Sequence, residues 1–333
     1  MTVSDFSERE LIAKIASALP PAPPWMPVGI GDDAAVVEPE RNRLEVLSVD
    51  ALVEGVHFDR AFTPPAAIGH RALAVNLSDL AAMGAAPRLC LLSLALPPAF
   101  PIADFDAMIG GLAALAARHR IHVAGGNLTK SPGPLVLDVT VTGTAKRRQI
   151  LTRSGARPGD ELYVTGTIGA AAAGLQMLRD GASHPQDPAS NSCVARYLYP
   201  EPRVRMGLLV ARNRAAAAGM DLSDGLADAV RQLATAGGVG AEIDAKSLPI
   251  DPLAVDWFTG RGEDPVSTAI SGGDDYELLV AVRPKSRRRL AGPQRHGGVA
   301  LTRIGVCTED PQVLLQCGDG SPRPLPTGYR HFR

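Results

Sequence analysis

Four short acidic clusters divide this chain, and each lies at the end of an apolar segment or at a turn. They are Gly-Asp-Asp at 31–33, Ser-Val-Asp at 48–50, Asn-Leu-Ser-Asp at 76–79 and Asp-Leu-Ser-Asp-Gly at 221–225. Carboxylates are costly to bury, so acids in this pattern indicate oxygen ligands for hard divalent cations. The sequence contains no GxxxxGK[ST] loop. A protein of this kind that handles nucleotide phosphates must therefore neutralise their charge with metal ions.

Length and charge indicate a two-domain protein without an overall attraction for polyanions. The chain has 333 residues, which exceeds the usual limit for one hydrophobic core. Its 34 Lys and Arg residues against 35 Asp and Glu residues give a net charge of -1. We therefore expect neither a nucleic acid nor a membrane as partner. The basic groups at 146–148 and 287–289 are interpreted as solvated surface.

Cysteine use and the first residues favour a cytoplasmic protein. The four cysteines are Cys90, Cys193, Cys307 and Cys317. They form neither a CxxC pair nor a metal-finger spacing, which predicts reduced thiols. Residues 1–10 are acidic and polar, the opposite of a secretory signal. The longest strongly apolar stretch, 89–96, is far shorter than the roughly 20 residues that span a bilayer and is predicted to be a buried strand.

The first half of the chain alternates predicted helices and strands. Apolar spacing predicts helices at 5–18, 66–83 and 104–119. Apolar and β-branched runs predict strands at 46–49, 89–96, 121–124 and 135–144. The proline-rich run 20–24 ends the first helix, and the glycines Gly125 and Gly126 are expected to turn the chain after the third strand. These elements predict an N-terminal α/β domain.

A second domain is predicted to begin near 153–160, where loop-forming residues cluster. We therefore divide the chain into domains at 1–150 and 151–333. Strands are predicted in the second domain at 161–165, 241–243 and 277–282. Helices are predicted after the glycine- and alanine-rich turn 166–174 and at 201–212 and 225–236. The second domain is thus predicted to be α+β.

The acidic clusters of the first half each have a structural and a functional interpretation. Gly31 lets the chain turn so that Asp32 and Asp33 approach a shared cavity, although an Asx turn explains the same residues. Ser48 and Asp50 lie on one face of a predicted strand, where a terminal aspartate also caps a following element.

A further group of acids has the same two interpretations. Asp79 lies within an otherwise apolar helix, where an unpaired charge is costly, which favours a ligand role. Asp221 and Asp224 lie at the start of a predicted helix and are candidate cation ligands, although an N-cap formed by Ser223 or Asp224 is the alternative. The segment 271–277 holds three acids behind two glycines and is either a binding loop or a charged hairpin loop.

Two cationic or titratable residues lie near these clusters. Arg153 is beside the predicted domain boundary and is a candidate phosphate ligand, with an ordinary surface arginine as the alternative. His57 follows the cluster that contains Asp50 and is either a substrate contact or a structural histidine.

The order and wording of these motifs closely resemble the thiamine-monophosphate kinase family, in the superfamily of aminoimidazole ribonucleotide synthetase and selenophosphate synthetase. The resemblance is carried by residues 29–35, 72–84, 151–160, 163–167, 221–226, 271–278 and 328–332. It implies a two-domain α/β (α+β) fold. In that fold an N-terminal α/β domain dimerises through its sheet, and a C-terminal α+β domain closes over the nucleotide at an interdomain cleft.

The resemblance implies ATP-dependent phosphorylation of thiamine monophosphate to thiamine diphosphate. The γ-phosphoryl group would be transferred directly and in line, with several Mg²⁺ ions as cofactors, ATP as co-substrate and a homodimer as the assembly. Two anions must approach each other, so metal bridges and arginine are needed. A phosphate with a second pKa of about 6 is already largely ionised at neutral pH, so no general base is required.

The resemblance also assigns roles to individual positions. Mg²⁺ would be bound by Asp33, Ser48, the backbone carbonyl of Val49, Asp50, Asp79, Asn127, Asp221 and Asp224. ATP would contact Gly126, Asn127, Arg153 and Ser223. The thiamine moiety would contact His57, Asp274 and Tyr329, although C-terminal packing also explains Tyr329. The catalytic residues would be Asp50, Asp79 and Arg153.

Two positions depart from the family pattern. Asn127 replaces the usual aspartate after two glycines, and its amide oxygen can ligate a cation but neutralises no charge. The number of bound Mg²⁺ ions is therefore left open. Asp274 replaces the usual glutamate and is one methylene shorter. Its substrate contact is then lost, bridged by water or taken over by Asp275.

Two other functions are weighed against the kinase. One is another enzyme of the superfamily that activates an oxygen with ATP. A hydrogenase-maturation dehydratase is expected to end in cysteine, whereas this chain ends at Arg333, and selenophosphate synthesis needs an N-terminal cysteine or selenocysteine, whereas the first cysteine is Cys90. The other is a nucleotide- or thiamine-binding regulator without catalysis, for which Asn127 is the motivation.

Overall fold

A four-stranded sheet organises the first of two units in the computed structural model, which describes residues 1–182, 192–317 and 321–328. Unit 1 consists of Met1–Leu80 and Ala86–Lys146. Its helices are α1 (Glu8–Ser17), α2 (Pro65–Ala82) and α3 (Ile102–His119). Its strands are β1 (Leu44–Val53), β2 (Ala86–Leu96), β3 (His122–Lys130) and β4 (Val136–Ala145). The helices and strands that the apolar patterns predict in this half are confirmed in type, with shifted ends.

The strand order in unit 1 is β1-β4-β2-β3, so β1 and β3 form the two edges. Strands β1 and β2 pair antiparallel with β4, and β3 pairs parallel with β2. Burial alternates along β1, where Val46 is buried while Leu47 and Val49 are exposed. The Leu80 side chain of α2 lies against Gly143 of β4, which pairs with Val46. The Val46 side of the sheet therefore faces α2 and the core.

Helices α2 and α3 approach each other closely through two reciprocal glycines. A methyl group on Gly69 of α2 would overlap the backbone carbonyl of Met108 on α3. A methyl group on Gly111 of α3 would overlap the carbonyl of Ala66 on α2. The glycines thus allow backbone contact that a larger residue would prevent.

The expected turn at Gly125 and Gly126 is wrong. Strand β3 continues through both residues to Lys130, in parallel register with β2. A methyl group on Gly126 would overlap the backbone of Leu92 in β2, next to a register shift after Cys90. The glycine is thus required for close strand approach and not for a reversal of the chain.

Unit 2 consists of Ala81–Ala85 and Arg147–Arg333, and its described residues contain a seven-stranded sheet of order β11-β10-β7-β9-β5-β8-β6. The strands are β5 (Glu161–Thr165), β6 (Ala218–Asp221), β7 (Gly240–Asp244), β8 (Leu278–Val282), β9 (Leu301–Thr308), β10 (Val313–Gln316) and β11 (Pro322–Pro324). The helices are α4 (Ala170–Arg179), α5 (Ser192–Leu198), α6 (Val204–Arg212), α7 (Leu226–Gly237), α8 (Pro252–Gly260), α9 (Pro265–Ser271) and α10 (Ala291–His296). Strands β5, β7 and β8 and helices α4, α6 and α7 correspond to predicted elements.

Several elements of unit 2 escaped the sequence analysis. Helices α8 and α9 begin at Asp-Pro pairs, in which the side chains of Asp251 and Asp264 accept hydrogen bonds from the first turn. This start signal was available in the sequence. Strand β6 has only four residues, and all are buried. It is therefore too short to show an alternation of apolar and polar residues in the sequence. Within the described ranges, no helix is both long and apolar enough to cross a bilayer.

The paired glycines of α3 provide a test of the helix packing. We expect Gly111→Ala to lower the free energy of unfolding by about 1–3 kcal/mol, because the added methyl group separates α2 from α3. The adjacent Gly110 has no atom within 4 Å of an added methyl group. Gly110→Ala should therefore raise the stability by about 0.5–1 kcal/mol through helix propensity. Urea unfolding followed by circular dichroism measures both, and equal effects would contradict the close packing.

Candidate functional site

Strand β1 and helix α2 bring together the first group of candidate metal ligands. The Ser48 hydroxyl of β1 donates a hydrogen bond to Oδ2 of Asp79 on α2. Asp50 lies two residues after Ser48 and so projects to the same face of β1. Both Asp50 and Asp79 are half-buried. The structure thus brings Ser48 and Asp79 together and places Asp50 on their side of the sheet.

The donor atoms of this group are all oxygens, which is the set that Mg²⁺ prefers. In the described part of the chain, no three or more His, Cys, Asp or Glu side chains lie close enough together to hold a metal ion. The hydroxyl of Ser48 and the backbone carbonyl of Val49 are therefore needed to complete a set of ligands here. The chemistry of these donors fits a hard cation with water in its remaining positions.

Asp33 lies on an exposed loop. Its backbone N–H donates to the Asp32 carboxylate at 2.9 Å, and Gly31 has a φ of 117°. Both aspartates are exposed. The Asp32 carboxylate therefore contacts the backbone of the next residue, which is not the two-residue spacing of an Asx turn, and Asp33 lies on the exposed loop.

Asn127 lies far from Asp50 within unit 1. It pairs with Ser93 in β2 and belongs to β3, one edge of the sheet, whereas Asp50 belongs to β1, the other edge. Two strands separate them, which at about 4.8 Å per strand spacing gives roughly 14 Å. Mg²⁺ ligands lie at about 2.1 Å from the ion. One chain therefore does not bring Asn127 and Asp50 to the same cation.

His57 stabilises the turn that follows β1. Its Nδ1 accepts a hydrogen bond from the backbone N–H of Val53 at 3.0 Å. In the neutral ring the proton is therefore assigned to Nε2. Gly55, with a φ of 83°, completes this turn by donating its N–H to the carbonyl of Phe58 at 2.8 Å. The hydrogen bond to Val53 thus gives the Nδ1 atom of His57 a structural role in this turn.

In unit 2, two loops pair through their backbones and hold the second group of candidate residues. The first loop, 222–225, joins β6 to α7, and the second, 272–277, leads into β8. The Ser223 carbonyl accepts from the Asp274 N–H at 2.8 Å, and the Leu222 carbonyl accepts from the Tyr276 N–H at 3.0 Å. The structure therefore brings the Asp221–Asp224 segment next to the segment that contains Asp274.

The loop 272–277 has an unusual backbone conformation. Asp274 and Tyr276 have φ values of 67° and 49°, in the left-handed region that is unfavourable for residues other than glycine. The Tyr276 hydroxyl donates to the Asp274 carboxylate at 3.0 Å. A methyl group on Gly273 would lie 2.6 Å from the Ser223 carbonyl oxygen, so the pairing of the loops requires glycine there. This local strain is maintained by the loop pairing.

Asp275, the alternative substrate contact, lies in the protein interior. It is 1% exposed and accepts hydrogen bonds from the backbone N–H groups of Gly169 at 2.8 Å and Ala171 at 3.4 Å. These contacts cap the beginning of α4. Burial raises the pKa of the Asp275 carboxyl to about 7, against the opposing effect of the Gly169 N–H. The Asp275 carboxylate therefore stabilises the start of α4 in the protein interior.

Glu277 anchors the same segment through residues that the sequence analysis missed. It is fully buried, and Arg196 donates to its Oε1 at 2.7 Å while Arg203 donates to its Oε2 at 2.7 Å. The Thr165 hydroxyl donates to Oε2 at 2.6 Å. No local signal identifies these partners, since Arg203 and Glu277 are 74 residues apart. Of the three acids in the loop, only Asp274 is not fully buried.

Arg153 is exposed and is oriented by α7. Its Nη1 donates to the side-chain oxygen of Gln232 at 2.6 Å, and the Gln232 amide donates to Asp228, also on α7. Ser223 is exposed at the loop that precedes this helix. A methyl group on Gly328 would lie 2.6 Å from the Asp224 carbonyl oxygen, so the C-terminal segment reaches this loop. Tyr329 itself lies outside the described residues.

Comparisons with known proteins identify relatives over nearly the whole chain. Residues 31–145 match the N-terminal domain of AIR synthase related proteins, and residues 157–318 match the C-terminal domain. A thiamine-monophosphate kinase of Synechococcus elongatus is 38% identical over 312 residues, which cover 91% of this chain and 91% of the relative.

Two solved structures extend this similarity to three dimensions. The crystal structure of thiamine-monophosphate kinase from Stenotrophomonas maltophilia K279a has a TM-score of 0.82 and 37% identity, and the match covers 97% of this chain and 99% of that one. AaThiL complexed with AMPPCP and TMP has a TM-score of 0.77 and 31% identity, with 100% and 99% covered. The predicted two-domain fold and the resemblance to this family are confirmed.

The raised pKa of Asp275 predicts a pH-dependent stability. The pKa is about 7 in the folded protein and about 3.9 in an unfolded chain, so the folded state binds an extra proton between these values. Stability should therefore fall as pH rises through this window, by at most about 1.4 kcal/mol per pH unit. Among the charged neighbours, Arg196 opposes this effect and Glu277 reinforces it.

Asp275→Asn should remove this dependence. Urea unfolding at pH 5 and pH 8 measures the free energy of unfolding of both proteins. The loss of stability between the two pH values should be larger for the original protein than for the variant. Parallel pH profiles would show that the Asp275 carboxyl does not titrate in this window.

Proposed function

Because the chain belongs to the AIR synthase related family, and within it to the thiamine-monophosphate kinases, we propose that it phosphorylates thiamine monophosphate with ATP. The products would be thiamine diphosphate and ADP. The observation that carries this proposal is the match over the whole chain to AaThiL complexed with AMPPCP and TMP. AMPPCP is an ATP analogue, so that complex pairs a nucleotide with the acceptor.

We further propose that the reaction uses several Mg²⁺ ions. The candidate ligands of unit 1 are Ser48, the Val49 carbonyl, Asp50 and Asp79, and those of unit 2 are Asp221 and Asp224. Bound Mg²⁺ would neutralise phosphate charge and so reduce the repulsion between donor and acceptor. Supporting observations are the oxygen-only donor set and the Ser48–Asp79 hydrogen bond, which orients one carboxylate oxygen. Asp33 is proposed as a further ligand from its exposed loop.

The polar residues of unit 2 are proposed to orient the phosphates. Arg153 presents a permanently charged guanidinium that suits phosphate oxygens, and its bond to Gln232 limits the directions it can take. The exposed Ser223 hydroxyl is a further phosphate contact. The acceptor phosphate is already largely ionised at neutral pH, so these residues need to align it for in-line attack and not to remove a proton.

Other residues are proposed to contact the nucleotide and the thiamine moiety. Gly126 and Asn127, exposed on the edge strand β3, are proposed as nucleotide contacts. The spacing between Asn127 and Asp50 argues against a shared ion within one chain. His57, Asp274 and Tyr329 are proposed as contacts to the thiamine moiety, where a carboxylate and an aromatic ring suit a flat cation. The Tyr276 hydroxyl would hold the shorter Asp274 side chain in place.

We propose that the protein is a homodimer that associates through the sheet of unit 1. Leu47, Val49 and Leu91 are 68%, 56% and 42% exposed. The register places them together, because Val49 and Leu91 both pair with Thr140 in β4 and Leu47 pairs with Thr142. Grouped apolar side chains on one sheet face favour association over exposure to water.

A cytoplasmic location is part of the proposal. The four cysteines are free in the structure, and Cys90, Cys193 and Cys307 are buried. Burial raises the pKa of each of these three thiols to about 12. Such protonated thiols suit a reducing compartment but are also protected within the core.

A coupled ADP-release assay tests the proposed activity. With thiamine monophosphate, ATP and Mg²⁺, ADP should be released together with thiamine diphosphate. Thiamine and aminoimidazole precursors serve as alternative acceptors and should give only background rates. Tight binding of ATP and thiamine monophosphate with no ADP above background would instead support a regulator without catalysis.

Replacement of Asp79 tests the metal assignment. We expect Asp79→Asn to lower kcat at least about 100-fold, because one ligand charge of the proposed metal site is lost. The control is Asp106→Asn on α3, whose exposed carboxylate pairs with Lys14 at 3.0 Å and should be dispensable for turnover. Initial rates over a range of Mg²⁺ concentrations measure both variants. A near-normal rate for Asp79→Asn, with unchanged circular dichroism, would contradict the assignment.

Replacement of Leu47 tests the proposed interface. We expect Leu47→Asp to shift the protein to monomers, since it places a charge in an apolar contact. Leu253→Asp changes another exposed leucine, 48% exposed on α8, and should leave the dimer intact. Sedimentation velocity measures the oligomeric state of both variants. A monomer before any substitution, or a dimer that survives Leu47→Asp, would argue against this interface.

A further inference from the structure

Unit 2 contains a cavity of 240 Å³ that is separate from the candidate residues described above. Its walls are formed by the segment 148–151, the residues 214–217 that lead into β6, and the residues 283–289 that follow β8. Four arginines line it, namely Arg148, Arg214, Arg283 and Arg289, together with Ser286 and Gln149. The described residues that line the cavity include no acid.

The four arginines also have no acidic partner in the part of the chain that the structure describes. Within the described ranges, none of their guanidinium groups lies within 4.0 Å of a carboxylate oxygen. Several other arginines of the unit, such as Arg196 and Arg203, do have an acidic partner. Arg287, in the same segment, donates to Glu161 at 2.9 Å. Four like charges around one cavity repel each other, so the cavity is a place of positive potential in a protein whose net charge is -1.

One of these arginines also has an unsatisfied hydrogen-bond donor in its side chain. Nε of Arg283 is buried and has no acceptor among the described residues. A buried donor without a partner is unfavourable, and most such groups in native proteins are paired with protein, water or ligand. In contrast, Nη1 of Arg289 donates to the Arg214 carbonyl at 3.2 Å. This bond holds two of the arginines in fixed relation to each other.

We propose that this cavity is a binding site for a small phosphoryl anion. Guanidinium groups recognise phosphate oxygens by paired, charge-assisted hydrogen bonds, and four of them line this cavity. The Ser286 hydroxyl and the Gln149 amide are neutral donors on the same walls. The cavity is smaller than the about 300 Å³ at which sites for drug-sized ligands begin. It therefore suits one or two phosphoryl groups, either free or at the end of a larger molecule.

Calorimetric titration of the full chain with inorganic diphosphate tests the proposal. The experiment is done with EDTA and without thiamine monophosphate, so its result does not depend on the proposed kinase activity. We expect one diphosphate per chain. Arg283→Gln should weaken binding at least about 10-fold through the loss of charge-assisted hydrogen bonds. Arg148→Gln, on an exposed part of the wall, should also weaken binding and serves if Arg283→Gln fails to fold.

The matched control is Arg288→Gln, which removes the same charge from the same segment but from a residue outside the cavity. It should keep the original affinity. Parallel titrations with phosphate and ADP distinguish the sources: competition by ADP indicates a phosphoryl group carried by a nucleotide, and binding of the inorganic anions alone indicates a free anion. No binding by the unaltered chain, or equal weakening by Arg288→Gln and the cavity variants, would overturn the proposal.

Discussion

The buried charge of Glu277 is the constraint on which the candidate site of unit 2 depends. Breaking a buried ion pair by removing one partner costs about 3–5 kcal/mol, so Glu277 requires the donors that surround it. Arg196, Arg203 and Thr165 provide them. These contacts fix the start of β8 and hence the segment directly before it, which contains Asp274. A charge network that faces the interior thus determines where an accessible carboxylate lies.

The candidate residues also depend on close approach between neighbouring backbone segments. In both units, glycine allows this approach. In unit 2, a side chain on Gly225 or Gly273 would collide with the facing loop and separate Asp221–Asp224 from Asp274. In unit 1, Gly126 lets β3 approach β2, and β3 carries Asn127. The acidic clusters are therefore held in position by the backbone before any ligand binds, which is the condition for a preorganised site.

Acidic side chains line the proposed cation sites of this protein, whereas basic side chains line the proposed anion site. Most of the proposed metal ligands are carboxylates, which lie on β1, on α2, at the end of β6 and in two loops, and bound cations would compensate their charge. The arginines around the cavity of unit 2 are gathered without carboxylates, where a bound anion would compensate theirs. Elsewhere in unit 2, ion pairs such as Arg203 with Glu277 are complete within the protein.

The sequence by itself determined the strongly periodic elements, among them α2, α3 and β4, the acidic clusters, and the family. These depend on local periodicity and on motif order, which one chain displays directly. Only the tertiary structure decided that Gly126 lies inside a strand, that Asp275 and Glu277 serve the interior, and that Asn127 lies at the opposite sheet edge from Asp50. Each of these outcomes depends on a contact between residues far apart in sequence or on a strand order. Local propensity does not encode such contacts, because register and burial are fixed only when the elements pack together.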